Sequence, residues 1–354
     1  MAISFLECQT GQLGMLQSFF DRVYPPAYAL RTTGDLFRWQ FGGTAGNHRA
    51  VYTLKLALMN GEVVGCLGYI PIEVSVLGRV VPGAWLVNWM TDPAVRRFGL
   101  GVLLVGEVAK EFEVVLNVGP NQSAADMLLR TGWQDVGDLA RYIYVLDWEQ
   151  AARLTENCEL EGPTGVRATK HKPPLHSAVG RLDRFSDEAT DLWDRVWGGV
   201  AAGVRRSAEF LNWRYADHPL FEYRAFAIRQ REMLRGIAVY RIERVTDLST
   251  NVGRLVELIS EPGFDACLLD AVVEDARAHQ VVLLDFFCSS RRVSRLMIQS
   301  GFSLTSGDLF PVLFQPVDRA KRRIAFVARL GGGHHTTDLD WYVTKGDGDQ
   351  DRPN

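Results

Sequence analysis

The clearest pattern of apolar and polar positions runs over residues 83–112. Its first part is an apolar stretch in which Trp85 and Trp89 share the two-residue spacing of a strand, and Pro93 ends it because proline cannot donate to a sheet. A loop with two glycines follows, and residues 102–112 then carry apolar positions at helical spacing. The pattern predicts a strand, a glycine loop and a helix, in that order.

The same kind of pattern extends on both sides of this unit. Upstream it predicts a strand over residues 3–7, an amphipathic helix over residues 9–23, and two long strands joined by a turn at Asn60-Gly61. Downstream it predicts a short buried strand, Val114–Val118, and a helix that begins at Asn121.

The second half of the chain repeats the first in a weaker form. Residues 210–215 match residues 36–41 in the spacing of their apolar, tryptophan and aromatic positions, and residues 281–302 echo residues 114–133. A segment rich in Gly, Thr, Lys and Pro separates the halves. We therefore predict a first domain over residues 1–150, a linker over 151–178, a second domain over 179–330 and a polar, surface-laid tail over 331–354.

Composition places the chain among ordinary globular proteins. Its 354 residues are 47% hydrophobic and 23% charged, with a formal net charge of −3, which does not suggest a nucleic-acid binder. The start lacks the features of a signal peptide and no apolar run is long enough for a membrane, so we expect a cytoplasmic protein without membrane partners. The five scattered cysteines form no CxxC pair, and the paired His334-His335 lacks a helical ligand spacing, so we expect no metal.

The glycine loop has the chemistry of an anion site. Its pattern is Arg96-x-x-Gly99-x-Gly101 at the start of a helix, where free N–H groups and the positive end of the helix dipole attract phosphate oxygens. The spacing fits neither a Walker loop nor a dinucleotide fingerprint. A glycine-bearing turn between a strand and a helix is the alternative explanation. The motif resembles the pyrophosphate-binding motif of the GNAT acyltransferase superfamily, which uses acyl-coenzyme A.

A second motif of that family follows at the expected separation. Asn121, Ala124, the Met127-Leu128 pair, Gly132 and Trp133 match its landmarks, except that Leu128 stands where many relatives have a tyrosine that protonates the leaving thiolate. The resemblance implies a mixed α/β (α+β) fold of two tandem GNAT-like domains, each with a mixed, mostly antiparallel central sheet flanked by helices.

The resemblance also implies which residues bind the co-substrate. Backbone N–H groups at a bulge in the strand would bond the thioester oxygen, the loop would hold the pyrophosphate, and Asn121 would contact the pantetheine arm. The predicted coenzyme-binding residues are Trp89, Met90, Thr91, Arg96, Arg97, Phe98, Gly99, Leu100, Gly101, Val102 and Asn121.

The second copy lacks this loop. It has Glu261 and Asp265 where phosphates would lie, so we predict that it supplies structure and part of the acceptor site. The acceptor residues that we predict there are Trp213, Arg214 and Tyr215, although the two aromatic side chains could equally belong to the core.

The sequence leaves the acid and the base open. Candidates for the base are His218, Asp92 and Glu73, and a histidine before proline in a turn is commonly structural. Because Leu128 cannot act as the acid, Tyr142 or Tyr144 could, or water could relay the proton.

The tandem arrangement and the tail resemble sugar N-acyltransferases of bacterial surface-polysaccharide biosynthesis. This implies an acyl group moved from acyl-CoA to the amino group of a nucleotide-linked, dTDP-type deoxyamino sugar, by a monomer or homodimer. Two alternatives are a peptidoglycan-bridge transferase that uses aminoacyl-tRNA and a non-catalytic acyl-CoA sensor. The acidic balance and the intact loop favour the sugar acyltransferase over the first.

Overall fold

A computed structural model describes residues 3–25, 28–43, 51–155, 171–199, 201–305, 309–314, 317–318, 323–331 and 339–352. Its helices are α1 (Leu13–Val23), α2 (Ala29–Thr32), α3 (Gly34–Phe41), α4 (Leu100–Ala109), α5 (Gln122–Arg130), α6 (Trp148–Ala152), α7 (Asp187–Val196), α8 (Ala208–Leu211), α9 (Asp265–Ala278) and α10 (Arg291–Gln299). The first nine strands are β1 (Ile3–Gln9), β2 (Val51–Met59), β3 (Glu62–Val76), β4 (Arg79–Thr91), β5 (Val114–Val118), β6 (Gln134–Asp138), β7 (Ala140–Val145), β8 (Ser177–Leu182) and β9 (Ala202–Val204). The others are β10 (Tyr223–Gln230), β11 (Met233–Val245), β12 (Thr250–Ser260), β13 (Val281–Cys288), β14 (Ser303–Thr305), β15 (Leu313–Phe314), β16 (Val317–Asp318), β17 (Ala325–Leu330) and β18 (Trp341–Tyr342).

The first sheet has the order β1-β2-β3-β4-β5-β17-β6, and β9 and β18 extend it beside β3. All of its neighbours along that path are antiparallel except β4 and β5, which run parallel. Helices α4 and α5 cover one face, where they bury an apolar cluster that includes Leu104 and Leu128. The strand, helix and hairpin pattern therefore gives the predicted architecture, and Asn60 and Gly61 both take the positive φ that a tight hairpin turn needs.

The second sheet has the order β14-β7-β13-β12-β11-β10-β8. Its β12 and β13 are parallel, in the place that β4 and β5 hold in the first sheet. Helices α9 and α10 follow β12 and β13, as α4 and α5 follow β4 and β5. The predicted mixed fold of two similar domains, each a mostly antiparallel sheet flanked by helices, is confirmed.

Strands from each half of the chain pair in the sheet of the other half. Strand β7, which precedes the predicted boundary at residue 150, pairs with β13 and β14 of the second sheet. Strand β17, from the end of the predicted second domain, lies between β5 and β6 of the first sheet. The domain boundary at residue 150 stays a prediction. Backbone hydrogen bonds in both sheets join residues from before that boundary to residues from after it.

The carboxyl-terminal segment departs most from expectation. Residues 341–349 are all buried, and Asp347 is fully enclosed, so the prediction of a polar tail on the surface is wrong for this segment. Most of the predicted linker, residues 156–170, and the His334-His335 pair lie outside the described residues. Within the described ranges, no helix has both the length and the apolar character that crossing a membrane requires.

Candidate active site

The parallel strands of the first sheet separate partway along their length. Strands β4 and β5 are paired only as far as Trp85 and Leu116, although both continue beyond that point. At the start of the gap, the Asn117 Nδ2 donates to the Leu86 carbonyl at 3.2 Å. The Asn117 Oδ1 is buried and has no hydrogen-bond partner among the described residues. A gap with an unpaired acceptor suits an extended ligand that carries amide N–H groups.

A bulge in β4 lies beside this gap. Val87 pairs with Gly68 and Met90 pairs with Cys66, so two residues of β4 oppose a single residue of β3. The first of the two, Asn88, has a left-handed φ of 48°, a conformation that asparagine tolerates better than most residues. The bulge turns the backbone of β4 at the point where its neighbour has moved away.

Trp89, Met90 and Thr91, for which we predict contact with the thioester, lie at this bulge and directly after it. The Trp89 ring packs on Gly101 in the first turn of α4, and a Cβ added to Gly101 would lie 2.9 Å from Trp89 Cζ2. Because the start of α4 contacts the end of β4, there is no room for a side chain at position 101. This contact brings the bulge and the predicted phosphate loop together.

The loop itself ends in an open helix start. A short 3-10 helix, Pro93–Phe98, is capped by Asp92, whose carboxylate accepts from the Ala94 N–H at 2.9 Å. Gly99 follows with a φ of 67° and is the N-cap of α4, where it offers no side-chain acceptor. Among the described residues, no side chain caps the first N–H groups of α4, which lie at the positive end of the helix dipole and could bind an anion.

The remaining loop residues are compatible with this arrangement. Arg96 is exposed, Leu100 is buried and anchors the helix, and Val102 is partly exposed. The side chains of Arg97 and Phe98 lie outside the described part of the chain. The pyrophosphate contacts of these residues stay predictions.

The second motif forms helix α5. Asn121 is its N-cap and accepts from the Ala124 N–H at 2.9 Å, so its oxygen serves the helix and its amide N–H groups remain for a ligand. Leu128 is buried among apolar side chains, as its chemistry requires. Nothing at this position can donate a proton.

The His218 side chain is buried and packs against aromatic residues. Its ring stacks on Phe221 at a centroid distance of 4.8 Å, and its Nδ1 accepts from the N–H groups of Leu220 and Phe221. Burial, with the Arg214 charge nearby, lowers the pKa of His218 to about 3. A group with so low a pKa is a poor base at neutral pH, so the structure does not support the predicted catalytic role of His218.

The other two catalytic candidates, Tyr142 and Asp92, lie in or beside different sheets and differ in burial. Tyr142 lies in β7, in the second sheet, where it pairs with Phe286 and Leu304 and is almost fully buried. Burial raises the pKa of Tyr142, which keeps the phenol protonated. Asp92 lies at the end of β4, partly exposed and engaged in its cap. Their roles as acid and base stay predictions.

The three predicted acceptor residues are all buried. Trp213 stacks on Trp39, the Arg214 Nε donates to the Gly346 carbonyl at 2.6 Å, and the Tyr215 hydroxyl donates to a Glu257 carboxylate oxygen at 3.2 Å. These contacts hold the halves and the tail together. The structure therefore assigns Trp213, Arg214 and Tyr215 to the core, which was the alternative for the two aromatics.

The tail lies in the second sheet at the place that corresponds to the gap of the first. The pairing of β12 and β13 ends at Leu255 and Phe286. Beyond that point, the Thr344 hydroxyl donates to the Val256 carbonyl at 2.6 Å, while the Val343 carbonyl accepts from the Ser289 N–H at 2.9 Å. The tail thus contacts both strands where they have separated.

The start of helix α9 is also unlike that of α4. The Asp265 carboxylate accepts from the Gly263 N–H at 2.9 Å, and Glu261 is paired with Arg195 and Arg235. Carboxylates occupy the helix start, and the tail occupies the neighbouring gap. The second domain has no open site equivalent to the first in the residues that the structure describes.

The tail then reaches the first sheet. The Gln350 Nε2 donates to the Val118 carbonyl at 2.9 Å at the end of β5. Buried ion pairs anchor it, Asp347 with Arg206 at 2.7 Å and Asp351 with Arg241 at 2.8 Å. The sequence did not predict this role, because aspartates are usually exposed and no local feature of the tail indicates buried arginine partners.

Comparisons with known proteins agree with this description. A model of the acetyltransferase (GNAT) family matches residues 15–133. No curated protein sequence matches the chain.

Solved structures are similar in fold. A GCN5-related N-acetyltransferase from Anabaena variabilis has a TM-score of 0.60 at 9% identity, with 93% of this chain and 73% of that chain covered. A conserved protein from Enterococcus faecalis, described as a probable N-acyltransferase, has a TM-score of 0.62 at 12% identity, with 93% and 72% covered. Saccharomyces cerevisiae N-myristoyltransferase with bound myristoyl-CoA has a TM-score of 0.56 at 11% identity, with 93% and 83% covered.

Proposed function

We propose that this protein is an acyl-CoA dependent N-acyltransferase, because a model of the acetyltransferase (GNAT) family matches residues 15–133. Its acceptor in this proposal is the amino group of a nucleotide-linked deoxyamino sugar, with a dTDP-linked sugar as the first compound to test. The observation that carries the acyl-CoA part is the open helix start at Gly99 beside the gap between β4 and β5.

The residues present suit the co-substrate. The N–H groups at the start of α4 would receive the pyrophosphate, and the gap would receive the pantetheine arm, whose amide N–H can donate to the unpaired Asn117 Oδ1. The thioester would then lie at the bulge after Asn88, where a backbone N–H can polarise its carbonyl. One such donor is worth about 3 kcal/mol in related oxyanion sites.

The reaction follows from this placement. The acceptor nitrogen bonds to the thioester carbonyl carbon, the carbon–sulfur bond breaks, and one proton passes from nitrogen to sulfur. An uncharged amine is required for the attack. The site needs a group that supplies the proton to sulfur, because Leu128 cannot.

The choice of acceptor rests on the resemblance of the tandem arrangement and the tail to sugar N-acyltransferases. The tail supports it indirectly, since Gln350 lies at the end of β5 and Arg352 stacks over Tyr28 near the bulge. These groups place polar side chains of the tail beside the gap and the bulge. Hydrogen-bond donors and a cation suit a substrate that carries hydroxyl and phosphate groups.

The test is release of free thiol from acetyl-CoA with a panel of amines. The panel includes dTDP-linked and UDP-linked amino sugars, the matching sugars in which a hydroxyl replaces the amine, and a lysine peptide. We expect release only with an amino sugar, and mass spectrometry should show one added acyl group. Release with the lysine peptide alone would contradict the sugar acceptor, and tight acetyl-CoA binding without any release would favour the sensor.

A further inference from the structure

A chain of hydrogen bonds leads from the interior to the bulge of β4. The Gln40 Nε2, from α3, donates to the Asn88 Oδ1 at 2.6 Å, and the Asn88 Nδ2 donates to the Tyr28 hydroxyl oxygen at 2.7 Å. Gln40 and Asn88 are both buried, whereas Tyr28 is partly exposed. The chain therefore begins in the core and ends at the hydroxyl of a partly exposed tyrosine.

The donors and acceptors in this chain determine where the Tyr28 hydroxyl proton points. Since the Asn88 oxygen accepts from Gln40, the amide nitrogen of Asn88 must face Tyr28. The Tyr28 oxygen is then an acceptor toward Asn88, so its own O–H points away from Asn88. A tyrosine held in this way is prepared to give a proton to a ligand at the bulge.

Two neighbours hold the Tyr28 ring. Tyr24 stacks on it with a centroid distance of 4.1 Å and an interplanar angle of 8°. The Arg352 guanidinium carbon lies 5.7 Å from the centroid of the Tyr28 ring, and Arg352 is itself paired with Asp349 of the tail. Burial raises the pKa of the Tyr28 phenol, and the Arg352 charge acts against that rise. The phenol thus stays protonated at neutral pH, with a cation over its ring.

We propose that Tyr28 is the general acid that protonates the departing coenzyme A thiolate, in the role that Leu128 cannot fill. The inference rests on the proposed function. As nitrogen bonds to the carbonyl carbon and the carbon–sulfur bond breaks, the Tyr28 O–H proton moves to sulfur. A proton lost by the amine returns to the Tyr28 oxygen, so the net transfer is one proton from nitrogen to sulfur.

In this scheme Asn88 is a positioning residue, and the direction of its hydrogen bond to Tyr28 can be tested. Asn88→Asp keeps the shape and the tolerance of a left-handed φ, but it replaces the amide donor with a carboxylate oxygen. The Tyr28 hydroxyl would then donate inward to that carboxylate, and its proton would no longer face the thioester. A purely structural role of Asn88 would not make its effect depend on the Tyr28 hydroxyl.

The experiment measures steady-state thiol release and calorimetric coenzyme A affinity in four proteins: wild type, Tyr28→Phe, Asn88→Asp and the double variant. We expect Tyr28→Phe to lower kcat by about 100- to 1,000-fold, the usual share of general acid catalysis, with coenzyme A affinity within threefold of wild type. Asn88→Asp should lose a similar factor, and the double variant should lose no more than either single one. Tyr52→Phe, a partly buried tyrosine on β2, is the matched control and should retain wild-type kcat.

Two results would overturn the assignment. One is a Tyr28→Phe variant that keeps more than a third of wild-type kcat, and the other is multiplicative losses in the double variant. Either leaves the acyltransferase function in place, because wild type is active in the same assay. A wild-type protein that releases no thiol with any amine would contradict the proposed function itself, and the role of Tyr28 with it.

Discussion

Trp39 and Trp213 stack face to face, with ring centroids 4.8 Å apart and an interplanar angle of 12°. Each indole also donates to the backbone carbonyl of the other residue, at 2.8 Å from Trp39 and at 3.1 Å from Trp213. The two residues hold the same position in the repeated segments 36–41 and 210–215. The contact between the halves is thus reciprocal, as expected if the repeats face each other across an approximate two-fold axis.

This pair should contribute strongly to stability. We expect Trp213→Ala to lower the free energy of unfolding by about 3–5 kcal/mol, because it opens a large cavity and removes the indole N–H that donates to the Trp39 carbonyl. Trp213→Phe keeps a ring in the stack and should cost less, about 1–2 kcal/mol. Denaturant unfolding measures both, and equal small losses would show that the pair does not hold the halves together.

Sequence reasoning could find the repeat but not this contact. The matching spacing around Trp39 and Trp213 identified two copies of one unit, because spacing is a local property. Which surfaces of the copies meet depends on residues far apart in the chain. For the same reason the exchange of β7 and β17 could not be predicted, since each strand has the same alternation whichever sheet receives it.

We expect coenzyme A binding to require a residue without a side chain at position 101. In Gly101→Ala the new Cβ would lie 2.9 Å from the Trp89 ring, so the helix start or the end of β4 must move. We expect at least a tenfold loss of coenzyme A affinity by calorimetry. Gly106→Ala, in the same helix with open space around it, is the matched control. It should keep the affinity and gain about 0.5–1 kcal/mol of stability, and similar affinities for both variants would contradict the placement of the pyrophosphate.

His218 should affect the pH dependence of stability rather than turnover. Its pKa is about 3 when folded, against about 6.5 in an unfolded chain. The unfolded state therefore binds more protons between these values, so this residue's contribution is complete above pH 6.5 and is lost as the pH falls. His218→Asn keeps an acceptor for the two backbone N–H groups, and should flatten that dependence while kcat stays within twofold. A 100-fold loss of kcat at neutral pH would restore His218 as the base.

The tail should be essential to the fold. The Asp351 carboxylate is fully buried against Arg241, and the Tyr223 hydroxyl donates to it at 2.7 Å. These partners lower the pKa of Asp351, so its contribution is present at neutral pH and is lost only in strong acid. We expect Asp351→Asn to cost about 3–5 kcal/mol, because it removes the nearer of the two carboxylates that pair with the buried Arg241.

The control for this prediction is Asp35→Asn, which removes the carboxylate of an exposed pair with Arg38. Pairs of that kind contribute little, so the change should stay within about 0.5 kcal/mol. If Asp351→Asn were equally harmless in thermal and denaturant unfolding, the tail would not be a structural part of the protein.

Some features of the candidate site could be predicted from short sequence motifs, whereas others depend on contacts between residues far apart in the chain. The loop around Gly99 and the cap at Asn121 could be predicted because each is a short motif with a local conformation. The tail was expected on the surface because its aspartates are polar, and nothing nearby in the sequence showed that Arg206 and Arg241 would meet them. Tyr28 was missed since its relation to Asn88 spans sixty residues.

In the proposed function one open site, at the start of α4, binds one acyl-CoA per chain. The corresponding place in the second domain contains Asp265 at its helix start and the tail between its strands. Titration calorimetry of coenzyme A into the full chain tests this directly, with Gly99→Glu as the variant that places a carboxylate where phosphate should bind. We expect a stoichiometry near one in wild type and no detectable binding in the variant. A stoichiometry near two, or wild-type affinity in Gly99→Glu, would contradict this expectation.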